Sequence, residues 1–99
     1  VKATRRQITG HIIRVDHFGN LITNIPKETY DILSKDKPLT IQYGGEKFRR
    51  IHAAYNQAEQ GECFLVFNSL GFVEIGMYKG NASELLGLGY DSVVNILFE

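Results

Sequence analysis

The chain has no tryptophan, one cysteine, one methionine and two prolines among its 99 residues. With Cys63 alone, an intramolecular disulfide is impossible and a metal site built from cysteines is excluded by count. Inside the run Cys63-Phe64-Leu65-Val66-Phe67 the thiol reads as a small buried apolar group. There is no excess of either charge, 11 basic residues balancing 11 acidic ones. A nucleic-acid backbone calls for a basic surplus or a dense basic face, so no such partner is expected. Of the two basic pairs, Arg5-Arg6 and Arg49-Arg50, the second falls on an alternating segment where neighbours point apart; both read as solvated surface. No apolar run approaches the roughly 18 residues of a membrane helix, and no basic segment followed by an apolar stretch opens the chain. No membrane partner is expected, and the cytoplasm is the expected location. His11, His17 and His52 stand in no metal-binding spacing, there is no G-x-S-x-G elbow, and no glycine loop with a lysine could cradle phosphate. Asp16 adjoins His17, but adjacent strand residues diverge. No catalytic set is expected in this chain.

What is present suits one small domain. Apolar residues make up 43% and charged ones 22%, and a chain of this length buries roughly two thirds of its unfolded surface. It opens on Val1, and its one methionine is Met77, from which we expect residues 1–99 to be a single domain excised from a longer chain. Gln7–Asp16 reads as a strand whose sides swap at Ile12-Ile13, predicting a bulge. Leu21–Ile25 is a second strand, and Pro26 is placed to open a short helix. Leu39–Tyr43 and Glu46–Ile51, joined by Gly44-Gly45, read as a hairpin. Phe64–Phe67, apolar on both faces, and Phe72–Gly76 follow across a turn. Lys79–Leu86 reads as a helix capped by Asn81, with Glu84 three residues on and Gly87 as the stop. Ser92–Phe98 closes the count at about seven strands and two short helices. The predicted fold is mainly β, a small antiparallel barrel whose closure hides its edges.

Three loops carry residues suited to binding. Asp16-His17-Phe18-Gly19-Asn20 combines an aromatic, a flexible hinge and a carboxamide, which can meet a base edge with a donor and an acceptor. The plainer alternative is a turn in which Asp16 and Asn20 bond their own backbone and Phe18 fills the core. Asn68-Ser69-Leu70-Gly71 is a tight turn whose N–H groups and serine hydroxyl could hold a carboxylate, or hold nothing. Gly80-Asn81-Ala82-Ser83 is a helix start with outward N–H groups, or an ordinary cap. Ser69-Leu70-Gly71-Phe72 has the look of a PDZ carboxylate loop, but it stands too close to the following helix and strand for that fold.

Taken in order, these stretches resemble the C-terminal domain of the S-adenosylmethionine hydroxide adenosyltransferase family, relatives of the bacterial fluorinase and chlorinase. Gly10–Ile25 matches G-x-I-x-x-x-D-x-F-G-N-x-x-T-N-I. Tyr55 with Gly61-Glu62 is similar to the family's aromatic loop and G-E, Ser69–Ile75 to S-x-G-x-x-E-I, and Gly80-Asn81-Ala82 to G-N-A. The resemblance implies a seven-stranded barrel that forms the adenosine-binding half of an enzyme hydrolysing S-adenosylmethionine to adenosine and methionine, by attack at the ribose 5′ carbon. It implies a homotrimer in which the substrate lies between one subunit's N-terminal domain and a neighbour's barrel. S-adenosylmethionine is then substrate, no cofactor is expected, and the catalytic groups belong to the N-terminal domain. By the motifs, Asn20 meets the adenine edge, Phe18 shapes the pocket and Tyr55 stacks on the ring. Ser69 bonds the methionine carboxylate, and backbone near Asn81 and Ala82 reaches the adenine. Halogenating members carry arginine where this chain has Leu70, which points away from halogenation. Two other functions fit a small barrel: a stand-alone binding module, for an oligonucleotide or another ligand, or a structural oligomerisation domain with Phe18 and Tyr55 buried.

Overall fold

The computed structural model describes residues 1–34, 39–43, 46–48, 51–52 and 58–98. Among these residues nine strands and two helices follow in the order β1 (Lys2–Ala3), β2 (Gln7–Val15), β3 (Leu21–Pro26), α1 (Lys27–Ser34), β4 (Leu39–Tyr43), β5 (Glu46–Phe48), β6 (Ile51–His52), β7 (Cys63–Phe67), β8 (Phe72–Met77), α2 (Ala82–Leu86) and β9 (Val93–Phe98). Two of the strands, β1 and β6, are only two residues long; the other seven are the strands read from the pattern. All join one sheet in the order β5-β4-β9-β2-β3-β8-β7-β6, with β1 added beside β2.

The expected run Glu46–Ile51 is divided rather than continuous. Its first part, β5, pairs with β4, whereas β6 lies at the far end of the sheet and pairs parallel with β7. The two ends of the sheet order, β5 and β6, are separated by only two residues of chain. From Phe48 to Ile51 the backbone spans at most about 11 Å, so the sheet must curl until its first and last strands approach. The result is a curled half-barrel. The Gly44-Gly45 turn lies outside the described residues, although the strands it joins pair antiparallel with Tyr43 opposite Glu46.

The bulge in β2 falls where the pattern swaps: the β2–β3 register shifts between Ile12 and Arg14. Before it, Ile8, Gly10 and Ile12 point inward at the two-residue period. Gly10 admits its neighbours closely, since a Cβ there would lie 2.6 Å from both Ile25 and the Asn24 carboxamide, whose Oδ1 accepts from His11 N–H at 2.9 Å. A second shift divides the β3–β8 ladder between Ile22 and Pro26. Buried Thr23 answers it by donating to the Val73 carbonyl at 2.7 Å and accepting from Ile25 N–H at 3.1 Å.

The interior is filled by Ile8, Ile12, Leu21, Ile25, Ile41, Leu65, Val73, Ile75, Val94 and Ile96. Cys63, Phe64 and Leu65 are consecutive buried residues, as the apolar run implied, with Cys63 fully enclosed. Pro26 ends β3 immediately before α1, whose Tyr30 packs against Phe67 and Phe98 with ring centroids 5.5 and 5.9 Å apart. Helix α2 is shorter than read, but its caps are those expected. Asn81 Oδ1 accepts from Glu84 N–H, and Gly87 closes the helix at φ 67°. No helix among the described residues is long and apolar enough to cross a membrane.

Ile75 is fully buried, whereas Ile32 on α1 is 66% exposed. Truncating Ile75 to alanine is expected to cost about 2–5 kcal/mol in urea denaturation. The same change at Ile32 should stay within about 0.5 kcal/mol.

Candidate functional site

Two loops of the chain are built to one design. In the β2–β3 loop, Asp16 Oδ1 accepts from the N–H groups of Phe18 and Asn20, both at 2.9 Å. In the β7–β8 loop, Asn68 Oδ1 accepts from Leu70 and Phe72 N–H, both at 3.0 Å. Each has a glycine at φ 82°, Gly19 and Gly71, whose N–H returns to the carbonyl of Asp16 or Asn68 at 3.0 Å. The carboxylate or carboxamide thus satisfies two amides inside the turn, and glycine supplies the left-handed residue that a side chain would strain.

The plain-turn reading of Asp16 is therefore correct for the backbone and wrong for the aromatic. Phe18 is 73% exposed, its ring meeting His17 edge-on at 5.3 Å, and it contributes nothing to the core. A purely structural barrel with Phe18 buried is ruled out by that placement. The Asn68 turn also differs from expectation. Its Leu70, Gly71 and Phe72 amides are consumed within the turn, leaving the exposed Ser69 as the polar group it presents.

Asn20 directs its side chain across the sheet. Its Nδ2 donates to Glu74 Oε2 at 3.4 Å, and its Oδ1 lies 3.0 Å from where a Cβ on Gly76 would stand. Gly76 is needed there, because the same Cβ would come within 2.6 Å of the Phe64 ring. On β8, Val73 and Ile75 face the core, so Glu74 and Gly76 face the other side. The register completes two rows on that outer face. Arg14, Ile22, Glu74 and Val66 lie across β2, β3, β8 and β7; Asn20, Gly76 and Phe64 form the row beside them.

Helix α2 adds a third wall. Ser83 N–H donates to the Gly19 carbonyl at 2.9 Å, and a Cβ on Gly19 would land on the Asn81 carboxamide. Asn81 and the fully buried Ala82 thus stand directly against the Phe18–Asn20 turn. Ser69 lies elsewhere: β8 separates it from Asn20, with Phe72 beside Pro26 at one end and Ile75 beside Leu21 toward the other. A cleft of about 450 Å³ runs along this face, lined by Arg14, Ile22, Ser69, Leu70 and Glu74 among others. Tyr55 falls outside the described residues.

Two charged side chains at this face were given no role from the sequence, Arg14 and Glu74. The bulge after Ile12 turns Arg14 outward, and a residue's side after a bulge is not given by simple alternation. Burial, and next the Asp16 carboxylate, hold the Glu74 carboxyl above the usual range; the Asn20 amide and the Arg14 guanidinium act the other way. His52 also has a partner that residue spacing did not reveal, its Nε2 meeting Glu62 Oε1 at 2.8 Å. Among the described residues no group of three histidine, cysteine or acidic side chains could hold a metal ion.

Fold and site together define a curled β domain whose outer face carries a cleft of mixed lining, with Arg14, Glu74 and Ser69 beside Ile22 and Leu70. Residues 10–95 match the model of the SAM hydroxide adenosyltransferase C-terminal domain, SAM being S-adenosylmethionine, and the chain belongs to that family. It is 32% identical over 91 residues to the (R)-S-adenosyl-L-methionine hydrolase of Methanocaldococcus jannaschii, a match covering 88% of this chain and 35% of that protein. The structure of an uncharacterized conserved protein from Thermotoga maritima superposes with a TM-score of 0.84 at 29% identity, over 98% of this chain and 38% of the other. A conserved hypothetical protein from Thermus thermophilus shares the fold, with a TM-score of 0.64 at 24% identity, covering 90% of this chain and 34% of its own. The chain spans about a third of the length of these relatives.

A carboxyl with a raised pKa binds its proton more tightly folded than unfolded. Its contribution to stability is present below the unfolded pKa and is lost as pH rises through the folded one. As pH rises from about 4 to about 7, wild type should lose stability relative to Glu74→Gln. Thermal unfolding of both proteins across that range is the measurement; parallel curves would contradict the assignment.

Proposed function

We propose that this chain is the adenosine-binding half of an enzyme that hydrolyses S-adenosylmethionine to adenosine and methionine, and that it forms the C-terminal domain of a longer chain. The observation that carries the reading is the meeting of Phe18, Asn20, Asn81 and Ala82, contributed by segments some 60 residues apart in sequence, around one turn. Family membership and the activity named for the archaeal relative set the substrate class.

Each group then has a chemical task. The Asn20 carboxamide meets the adenine edge, and exposed Phe18 gives the pocket an apolar wall. Backbone at Asn81 and Ala82 approaches the same ring, and Tyr55 stacks on its face. At the opposite end of β8 from Asn20, the Ser69 hydroxyl bonds the methionine carboxylate from the cleft that it lines. Leu70 offers no charge to that carboxylate; Arg14, lining the same cleft, supplies the guanidinium on this reading. S-adenosylmethionine is the substrate and no cofactor takes part. The groups that activate water come from the N-terminal domain of the parent protein, and a homotrimer brings that domain of a neighbouring subunit over the cleft.

In the parent protein, Asn20→Ala should weaken adenosine binding by about 1–3 kcal/mol, or about five- to a hundredfold. Tyr55→Ala should cost a similar amount through lost stacking, while Tyr55→Phe keeps the ring face and costs little. Titration calorimetry distinguishes these cases, and an Asn20→Ala protein with unchanged affinity would overturn the adenine assignment. The 99-residue domain by itself should release no adenosine from S-adenosylmethionine above a heat-killed control.

A further inference from the structure

We propose that Glu74 is a positioning residue that sets which way round the Asn20 carboxamide faces, making the site selective for a 6-amino purine over a 6-oxo purine. This rests on Asn20 reading the base edge, and adds what makes that reading one-sided.

A carboxamide is nearly symmetric in shape but not in chemistry, its oxygen accepting and its nitrogen donating. Left to itself, Asn20 could turn either end to a ligand, accepting from a 6-amino group or donating to a 6-oxo group. Three contacts remove that freedom. Asp16 Oδ1 holds the Asn20 backbone N–H at 2.9 Å, fixing where the side chain begins. Glu74 Oε2 receives the Asn20 Nδ2 at 3.4 Å, and an ionised carboxylate can only accept. Gly76 leaves the space beside Phe64 in which the Asn20 Oδ1 lies, 3.0 Å from the position of the missing Cβ. Among the described residues this oxygen accepts no hydrogen bond, and no buried side-chain polar atom lacks a partner, so the oxygen keeps contact with solvent on half-buried Asn20. The site therefore presents an acceptor, which a 6-amino group satisfies and a 6-oxo group opposes.

The register holds Glu74 in place for this task. Ile22 stands opposite it on β3, Val66 opposite it on β7, and Arg14 and Asp16 are the charged groups that act on it. Ionised Glu74 is acceptor-only, whereas a glutamine at the same position accepts with one end and donates with the other. Glu74→Gln keeps the size and removes the instruction.

The test uses the parent protein and two probes, adenosine and inosine, titrated by calorimetry. The wild type should prefer adenosine, and Glu74→Gln should lower the adenosine-to-inosine affinity ratio about tenfold, with inosine gaining in absolute terms. A ratio unchanged in Glu74→Gln, both ligands weakening equally or not at all, overturns the proposal and marks Glu74 as structural. If Glu74→Gln fails to fold, Glu74→Met takes its place; it cannot receive the amide in the same way and should lower the ratio as well, an unchanged ratio again counting against the proposal. Asn20→Ala separates the two levels of argument. If it leaves adenosine affinity untouched, the adenine reading itself fails; if it weakens binding while Glu74→Gln preserves the ratio, only the positioning role fails.

Discussion

The two-residue period of β3 and β8 governs the whole arrangement. On β8, Val73 and Ile75 go to the core, so Glu74 and Gly76 are committed to the outer face. A slip of one residue in β8 would exchange the two sets and bury the Glu74 carboxylate among isoleucines. Thr23 and Asn24 guard against that slip, since each closes a gap in the ladder with its own side chain, Thr23 onto the Val73 carbonyl and Asn24 onto the His11 amide. Outer face and core are thus specified by one register.

Curling does the remaining work. Two residues join β5 to β6, the ends of the hydrogen-bonded order, and so force the sheet to wrap round its apolar side. The outer face is left to the loops. The Asp16 and Asn68 turns share one hydrogen-bonding scheme but serve different ends. The first presents Phe18 and Asn20 beside α2, and the second presents Ser69 at the opposite end of β8. Between them lie Arg14 and Glu74, of opposite charge, on either side of Ile22. A face of this kind suits a long ligand with an aromatic base at one end and a charged group at the other.

Much of this was legible in the residues, for local reasons. The bulge at Ile12-Ile13, the Asn81 cap with Glu84 and Gly87, and the doubly apolar β7 are short-range consequences of side-chain size, branching and hydrogen bonding. The division of Glu46–Ile51 between two strands was not legible, because β6 owes its place to the parallel partner Cys63-Phe64, a dozen residues away. Nor was Glu74 as a partner of Asn20. Fifty-four residues separate them, and only the β3–β8 register brings them together. Phe18 illustrates the opposite error: an aromatic in a tight turn reads as core by composition, yet the Asp16 bonds hold it outward. Local pattern left Asn20, Ser69 and Asn81 each with a binding role and a plain one, and only the resemblance to a family chose between them.

On the proposed function, the outer face of β3 and β8, walled by α2, receives an adenine ring. A crystal structure of the parent protein with adenosine bound tests it most directly. The base should lie beside Phe18 and against the Asn81-Ala82 backbone, its amino group within hydrogen-bond distance of Asn20 Oδ1 while Nδ2 stays on Glu74. Adenosine bound elsewhere on the domain, or with Asn20 reversed and its Nδ2 toward the base, would contradict it.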